Sequence, residues 1–184
     1  MSDTQIFDPE GRAIPFAVEG DGPVSLVLIP ERGLDGNPLG VVSHYLAEEA
    51  GFHIVRIGVD PEAPDAVAST LAVIDHVGLE RTWIGGHGAG GTLARRIAAA
   101  HSDRLNGLLL LGVEDVDVAL APVIPVLIIQ GADDDVTPPS AGETLQATAP
   151  ERASVKTLPG TGHLFPMMEP VETAVIIEEY LDWD

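Results

Sequence analysis

The chain has 184 residues, 45% of them apolar, enough for one domain built on one core. Acidic residues number 29 against 9 basic ones, a formal net charge of −20; a chain this poor in Lys and Arg is not expected to bind nucleic acid or polyanionic substrates. There is no cysteine, which excludes disulfides, thiolate metal sites and a cysteine nucleophile.

The N-terminus, Met1-Ser2-Asp3-Thr4-Gln5, lacks the basic start and apolar stretch of a signal peptide. No apolar run approaches the roughly 20 residues of a membrane span. The expectation is a soluble cytoplasmic protein with a solvated acidic surface. Residues 4–7 and 13–18, joined by Asp8-Pro9-Glu10-Gly11, read as a hairpin. Residues 24–29 form a continuous apolar run ended by Pro30, as suits a strand covered on both faces. A Gly- and Asp-rich loop follows over 31–37, and then Leu39, Val42 and Leu46 recur at helical spacing. Residues 52–57 read as the next strand, and Val67, Leu71 and Ile74 mark a helix entered past Pro61 and Pro64.

Residues 81–85 read as a strand, and a helix is expected near 90–101. Between them lies the glycine-dense turn Gly86-His87-Gly88-Ala89-Gly90. Further strands are expected at 108–111, 126–129 and 155–158, with weak helical character over 140–149. A closing helix carries Ile176, Ile177, Tyr180 and Leu181 on one face. Strands alternating with helices imply a single domain over 1–184, a three-layer α/β/α sandwich on a mostly parallel sheet. Ligands in such folds bind at the carboxyl ends of the strands.

Three stretches follow strands at that end. They are the turn at 86–90, the acidic loop Gln130-Gly131-Ala132-Asp133-Asp134-Asp135-Val136-Thr137, and the loop Pro159-Gly160-Thr161-Gly162-His163-Leu164-Phe165-Pro166. Strand, sharp turn and helix form the frame of a nucleophile elbow, G-x-S-x-G, which lifts a hydroxyl above a sheet. In elements and in the order elbow, acid, histidine, nearly the whole chain resembles the α/β-hydrolase superfamily, in particular its cap-less small esterases and lactonases. The resemblance implies Asp134 as the acid and His163 as the base. A buried carboxylate holds such an imidazole in orientation while it activates a hydroxyl. The nucleophile position holds Gly88, which has no oxygen to activate, and no serine lies near the turn. Thr92 and Thr161 are nearer, but a β-branched residue one turn into a helix would not aim where the hydroxyl did.

The resemblance also implies an oxyanion hole from the backbone N–H groups of Ala89 and Arg32. Glu31 stands where a glycine is usual, and its carboxylate would oppose an oxyanion. His87, Glu31 and Leu164 are expected to line a substrate pocket. Only residues 113–122 separate two strands between which the family usually inserts a cap, so the crevice should be open and shallow. The tandem aspartates lack the calcium pattern D-x-[DN]-x-[DN]-G. No metal and no cofactor are expected. His44, His53, His76 and His101 read as structural.

Gly88 admits three readings: an engineered replacement of serine, a natural pseudo-enzyme, or a different motif. Gly86-x-Gly88-x-x-Gly91 fits a dinucleotide fingerprint, with Glu114 about 20 residues on. That reading leaves the Asp134 and His163 loops unexplained. The function expected is therefore an esterase- or lactonase-like protein for a small ester, thioester or lactone, with little or no hydrolysis as written. Any residual rate would come from water activated by His163. The alternatives are a binding module for a small apolar ligand in the same crevice and the dinucleotide binder. Oligomeric state is left open.

Overall fold

The computed structural model describes residues 4–35 and 37–182; Met1, Ser2 and Asp3 of the stretch read for a leader, and Gly36 of the loop 31–37, lie outside the described residues. The apolar runs become strands: β1 (Gln5–Phe7), β2 (Ile14–Glu19), β3 (Ser25–Ile29), β4 (His53–Ile57), β5 (Thr82–His87), β6 (Leu105–Leu111), β7 (Val126–Gly131) and β8 (Ala153–Leu158). Between and after them run the helices α1 (Gly40–Glu48), α2 (Ala66–Val77), α3 (Ala89–His101), α4 (Pro139–Gln146), α5 (Phe165–Met168) and α6 (Pro170–Leu181). The strands form one sheet in the order β1-β2-β4-β3-β5-β6-β7-β8. The N-terminal hairpin pairs antiparallel with itself and with β4, and every pair from β4 to β8 is parallel.

The period-2 alternation of β3 divides the interior. Val27 and Ile29 join the core beneath α2 and α3, with Ile84, Leu108, Leu110, Val73, Leu93 and Ile97. Leu26 and Leu28 join the core beneath α1 and α6, with Leu109, Leu111, Val42, Leu46, Ala174 and Ile177. Each such side chain contributes about 1.5–3 kcal/mol when fully buried, so both faces of the central strands must be covered. Among the described residues no helix is long and apolar enough to cross a membrane.

Two elements differ from the sequence expectation. β6 starts at Leu105 rather than near 108: Asn106 and Gly107 interrupt the apolar run, and the ladder to β5 shifts register across them, with Thr82 opposite Leu105 and Trp83 opposite Gly107. The four-residue helix α5 follows the histidine loop. The short connection between β6 and β7 is fastened from within. The Arg95 guanidinium, 2% exposed, donates to the carbonyls of Glu114, Val116 and Val118. His76 stacks on Phe7 with ring centroids 4.1 Å apart, as a packing histidine does.

Candidate active site

The chain order of the sheet reverses about β3. β4 lies on one side of it and β5 on the other, so a crevice opens at their carboxyl ends. Register places Ile29 beside Gly86, which brings Glu31, two residues past β3, against Gly88, just past β5. At the other end Gly131 pairs with Leu158, so the acidic loop after β7 meets the histidine loop after β8. The Asp133 N–H donates to the Thr161 carbonyl at 2.8 Å and ties the two loops together.

Gly88 joins β5 to α3 with φ 54° and ψ −114°. This is a conformation that costs an L residue about 1–3 kcal/mol and that glycine enters freely. The turn is this tight because α3 starts directly against the sheet. A Cβ on Gly90 would lie 2.3 Å from the Pro30 carbonyl oxygen, and one on Gly86 would lie 2.3 Å from the Gly90 carbonyl carbon. The backbone of a raised, strained elbow is therefore present, and its tip carries no side chain.

Glu31 fills the space above that tip. Its Oε1 accepts from the Ala89 N–H at 2.8 Å and from the Arg32 N–H at 2.7 Å, the two groups expected to form an oxyanion hole. Its Oε2 lies 2.7 Å from Nε2 of His163. A Cβ built on Gly88 would stand 1.6 Å from that same Oε2. The carboxylate also sits at the N-terminus of the 13-residue helix α3, whose dipole favours an anion. Burial alone would raise the Glu31 carboxyl. The hydrogen bonds from His163, Ala89 and Arg32 outweigh it and lower the pKa to about 2. A carboxylate was expected near these two N–H groups, and Glu31 accepts from both of them.

His163 is held at both ring nitrogens. Nδ1 lies 2.9 Å from Asp134 Oδ2 and Nε2 lies 2.7 Å from Glu31. Carboxylates only accept, so each ring nitrogen must carry a proton and the ring is an imidazolium. The bond to Glu31 raises the His163 pKa, burial opposes this, and Asp134 raises it further. Burial would raise the Asp134 carboxyl too, but the Thr137 hydroxyl and N–H, His163 and the Val136 N–H together lower it. Asp134 is buried and its neighbours Asp133 and Asp135 are exposed, which separates the three aspartates.

Thr137 was missed in the sequence. Its hydroxyl donates to Asp134 Oδ2 at 2.6 Å and its oxygen lies 3.0 Å from Nδ1 of His163. The signal was present as Asp134-x-x-Thr137, a spacing at which a carboxylate accepts the N–H two and three residues on. Asp134 Oδ1 accepts from Val136 N–H at 2.9 Å and Thr137 N–H at 2.8 Å.

The expected pocket lining is placed differently. His87 is 1% exposed and lies behind His163 with ring centroids 4.6 Å apart, so it supports the imidazolium and does not face solvent. Its Nε2 is 2.8 Å from the His163 carbonyl, and burial followed by the His163 charge lowers its pKa, which keeps it neutral. Leu164 is 49% exposed at the rim and Glu31 plugs the crevice. The Arg32 side chain turns outward to Glu62 at 2.9 Å and Glu114 at 2.7 Å. Glu114 also accepts from the Thr92 hydroxyl at 2.5 Å. Cavities of about 480 Å³ beside Arg32 and about 280 Å³ beside Arg95 flank the centre, and neither is lined by Glu31 or His163. Glu31, His87 and His163 offer ligand atoms within 4.8 Å of one another. An imidazole holds a metal in its own plane, however, and these two rings are stacked at 27° with His163 Nε2 already on the carboxylate. The cluster fits a hydrogen-bonded stack and not a coordination sphere.

Residues 51–165 match the model of a family described as the alpha/beta hydrolase family. No curated protein matches the sequence. The fold is similar to that of a thermophilic esterase from Thermogutta terrifontis, with TM-score 0.81, 18% identity, and 98% of each chain covered. It is also similar to Est1E from Butyrivibrio proteoclasticus, with TM-score 0.82, 16% identity and both chains fully covered. The enol-lactonase from Burkholderia xenovorans LB400 aligns with TM-score 0.83 and 14% identity, over 97% of this chain and 100% of that one.

Proposed function

Because the chain belongs to the alpha/beta hydrolase family, we propose that it is an esterase- and lactonase-related protein in which covalent ester hydrolysis is switched off at rest. The observation that carries this reading is the Glu31 carboxylate bound at once to the Ala89 N–H, the Arg32 N–H and His163 Nε2. A general base needs a free lone pair facing the proton it takes. The Nε2 of His163 spends its valence donating to Glu31, so it activates neither a hydroxyl nor the water expected to give a residual rate. The two N–H groups that would stabilise an oxyanion already hold a negative charge. Any ligand, a small ester, thioester or lactone, meets a carboxylate where its carbonyl oxygen would go.

The other two readings lose support for the same reason. A dinucleotide needs the N–H groups after Gly88 free for a pyrophosphate, and the Ala89 N–H is bound to a carboxylate instead. A seat for an apolar ligand would not present an ion pair at its floor.

The test is hydrolysis of p-nitrophenyl acetate by the native chain and by His163→Ala, with a fluorophosphonate probe for an activated serine. Equal background rates, no burst and no labelling are expected. A burst in the native chain that vanishes in His163→Ala would mean that ester hydrolysis is on.

A further inference from the structure

We propose that Glu31 is a tethered occupant of a serine-hydrolase centre, that residues 31 and 88 exclude one another, and that exchanging both converts the chain into an esterase. The proposal rests on the reading that ester hydrolysis is off in the native chain. It adds which two positions hold it off and what the emptied seat would take.

The geometry makes the two positions one unit. The Cβ of any residue at 88 would lie 1.6 Å from Glu31 Oε2 and 2.4 Å from Cδ. Carbon and oxygen do not approach within about 3 Å without one moving. The carboxylate can give way only by leaving the three donors that hold its two oxygens at 2.7–2.8 Å. A serine introduced at 88 alone would therefore evict Glu31, and its hydroxyl would compete with the displaced carboxylate for His163. Removing the carboxylate alone leaves two aimed backbone N–H groups and an imidazole round a vacant seat. Such a seat takes a small carboxylate through the contacts that Glu31 now makes.

With both exchanged, each part has its partner. The new hydroxyl oxygen attacks the acyl carbon of an ester. Its proton passes to Nε2 of His163, which no longer donates to a carboxylate once Glu31 is gone, and Asp134 holds Nδ1. The carbonyl oxygen takes the electron pair and sits on the Ala89 and Arg32 N–H groups. Collapse expels the alcohol, which takes the proton back from His163. Water then repeats the sequence on the acyl-enzyme and releases the carboxylic acid. Atoms and charge balance without a cofactor. The elbow strain at Gly88, φ 54°, is the conformation such a turn imposes on its nucleophile.

The experiment compares Glu31→Gly, Gly88→Ser and the double variant Glu31→Gly/Gly88→Ser. With p-nitrophenyl acetate, the double variant is expected to give a burst stoichiometric with protein and a steady rate about 10²-fold or more above Glu31→Gly. It should be labelled by a fluorophosphonate, and adding His163→Ala should abolish both. Gly88→Ser alone is expected to give no burst. In Glu31→Gly the NMR titration midpoint of His163 should fall, and sodium acetate, but not sodium chloride, should raise it again. A burst from Gly88→Ser equal to that of the double variant overturns the proposal, as does a folded double variant that the probe does not label. Should the double variant fail to fold, the single variant still decides: an unmoved His163 midpoint in Glu31→Gly overturns the assignment of Glu31 as occupant. A His163-dependent burst in the native chain would instead sink the premise that hydrolysis is off.

Discussion

The two halves of the centre treat their carboxylates differently. On the β7–β8 side, Asp134 is held by donors from its own loop, the Val136 and Thr137 N–H groups and the Thr137 hydroxyl, before it touches His163. On the β3–β5 side, Glu31 takes two backbone donors, from Arg32 next to it and from Ala89 across the crevice, and relies on His163 for the third. The first half is built locally and would keep its shape with the opposite half missing. The second half depends on a tip without a side chain. The Glu31 carboxylate can lie where it does only because nothing projects from residue 88. A carboxylate held across the crevice thus needs the space over residue 88 empty, whereas one held by its own loop does not.

That contrast can be broken from either half. The largest effect is expected from Asp134→Ala. It strips a buried carboxylate from an imidazolium and leaves the Thr137 donors unpaired, a loss of about 3–5 kcal/mol, read as a lower urea midpoint at unchanged slope.

Next comes Glu31→Gln. The native carboxyl is lowered from 4.5 to about 2. Its stabilisation is therefore present above pH 4.5 and lost as pH falls towards 2. His163 is shifted the other way, upward from 6.5. Its stabilisation is complete below pH 6.5 and lost as pH rises through the raised value. The ion pair thus supports the fold most between the two. Glu31→Gln should lower stability there, flatten the acid limb of a urea midpoint against pH profile, and lower the His163 midpoint in NMR. An unchanged acid limb would mean that Glu31 is not the carboxylate responsible.

Much of this was legible in the chain, for a physical reason. Runs such as 24–29 and 126–129 have no polar face, so they must be covered on both sides, and a parallel sheet follows. The elbow was readable because Gly86 and Gly90 are demanded by backbone contacts that admit no Cβ. The direction of the Glu31 side chain was not readable. Its backbone position beside the expected hole followed from the motif, but whether the carboxylate turned out to solvent or in to Ala89 depends on two partners far away in sequence, Ala89 being 58 residues on. His163 is 132 residues away. Expected at an open crevice floor, the site is instead plugged, and His87 is packed behind it. Thr137 escaped because threonine in an acidic turn looks like any turn residue until its hydroxyl is placed between an acid and an imidazole.

The smallest effect tests the redundancy of the β7–β8 half. Thr137→Val keeps the branched shape and removes the hydroxyl that lies 2.6 Å from Asp134 and 3.0 Å from His163. Asp134 Oδ1 still accepts two backbone N–H groups and Oδ2 still accepts from His163. The loss should therefore be that of one hydrogen bond, about 1 kcal/mol, with Thr137→Ser recovering most of it. Removal of that donor also raises the Asp134 carboxyl. Stability at acid pH should then fall at a slightly higher pH than in the native chain, while the His163 midpoint moves far less than in Glu31→Gln. If Thr137→Val cost as much as Glu31→Gln, the local half would be no more self-sufficient than the other. The acid would then be held by the one hydroxyl that it shares with the histidine, and the asymmetry drawn between the two halves would not hold.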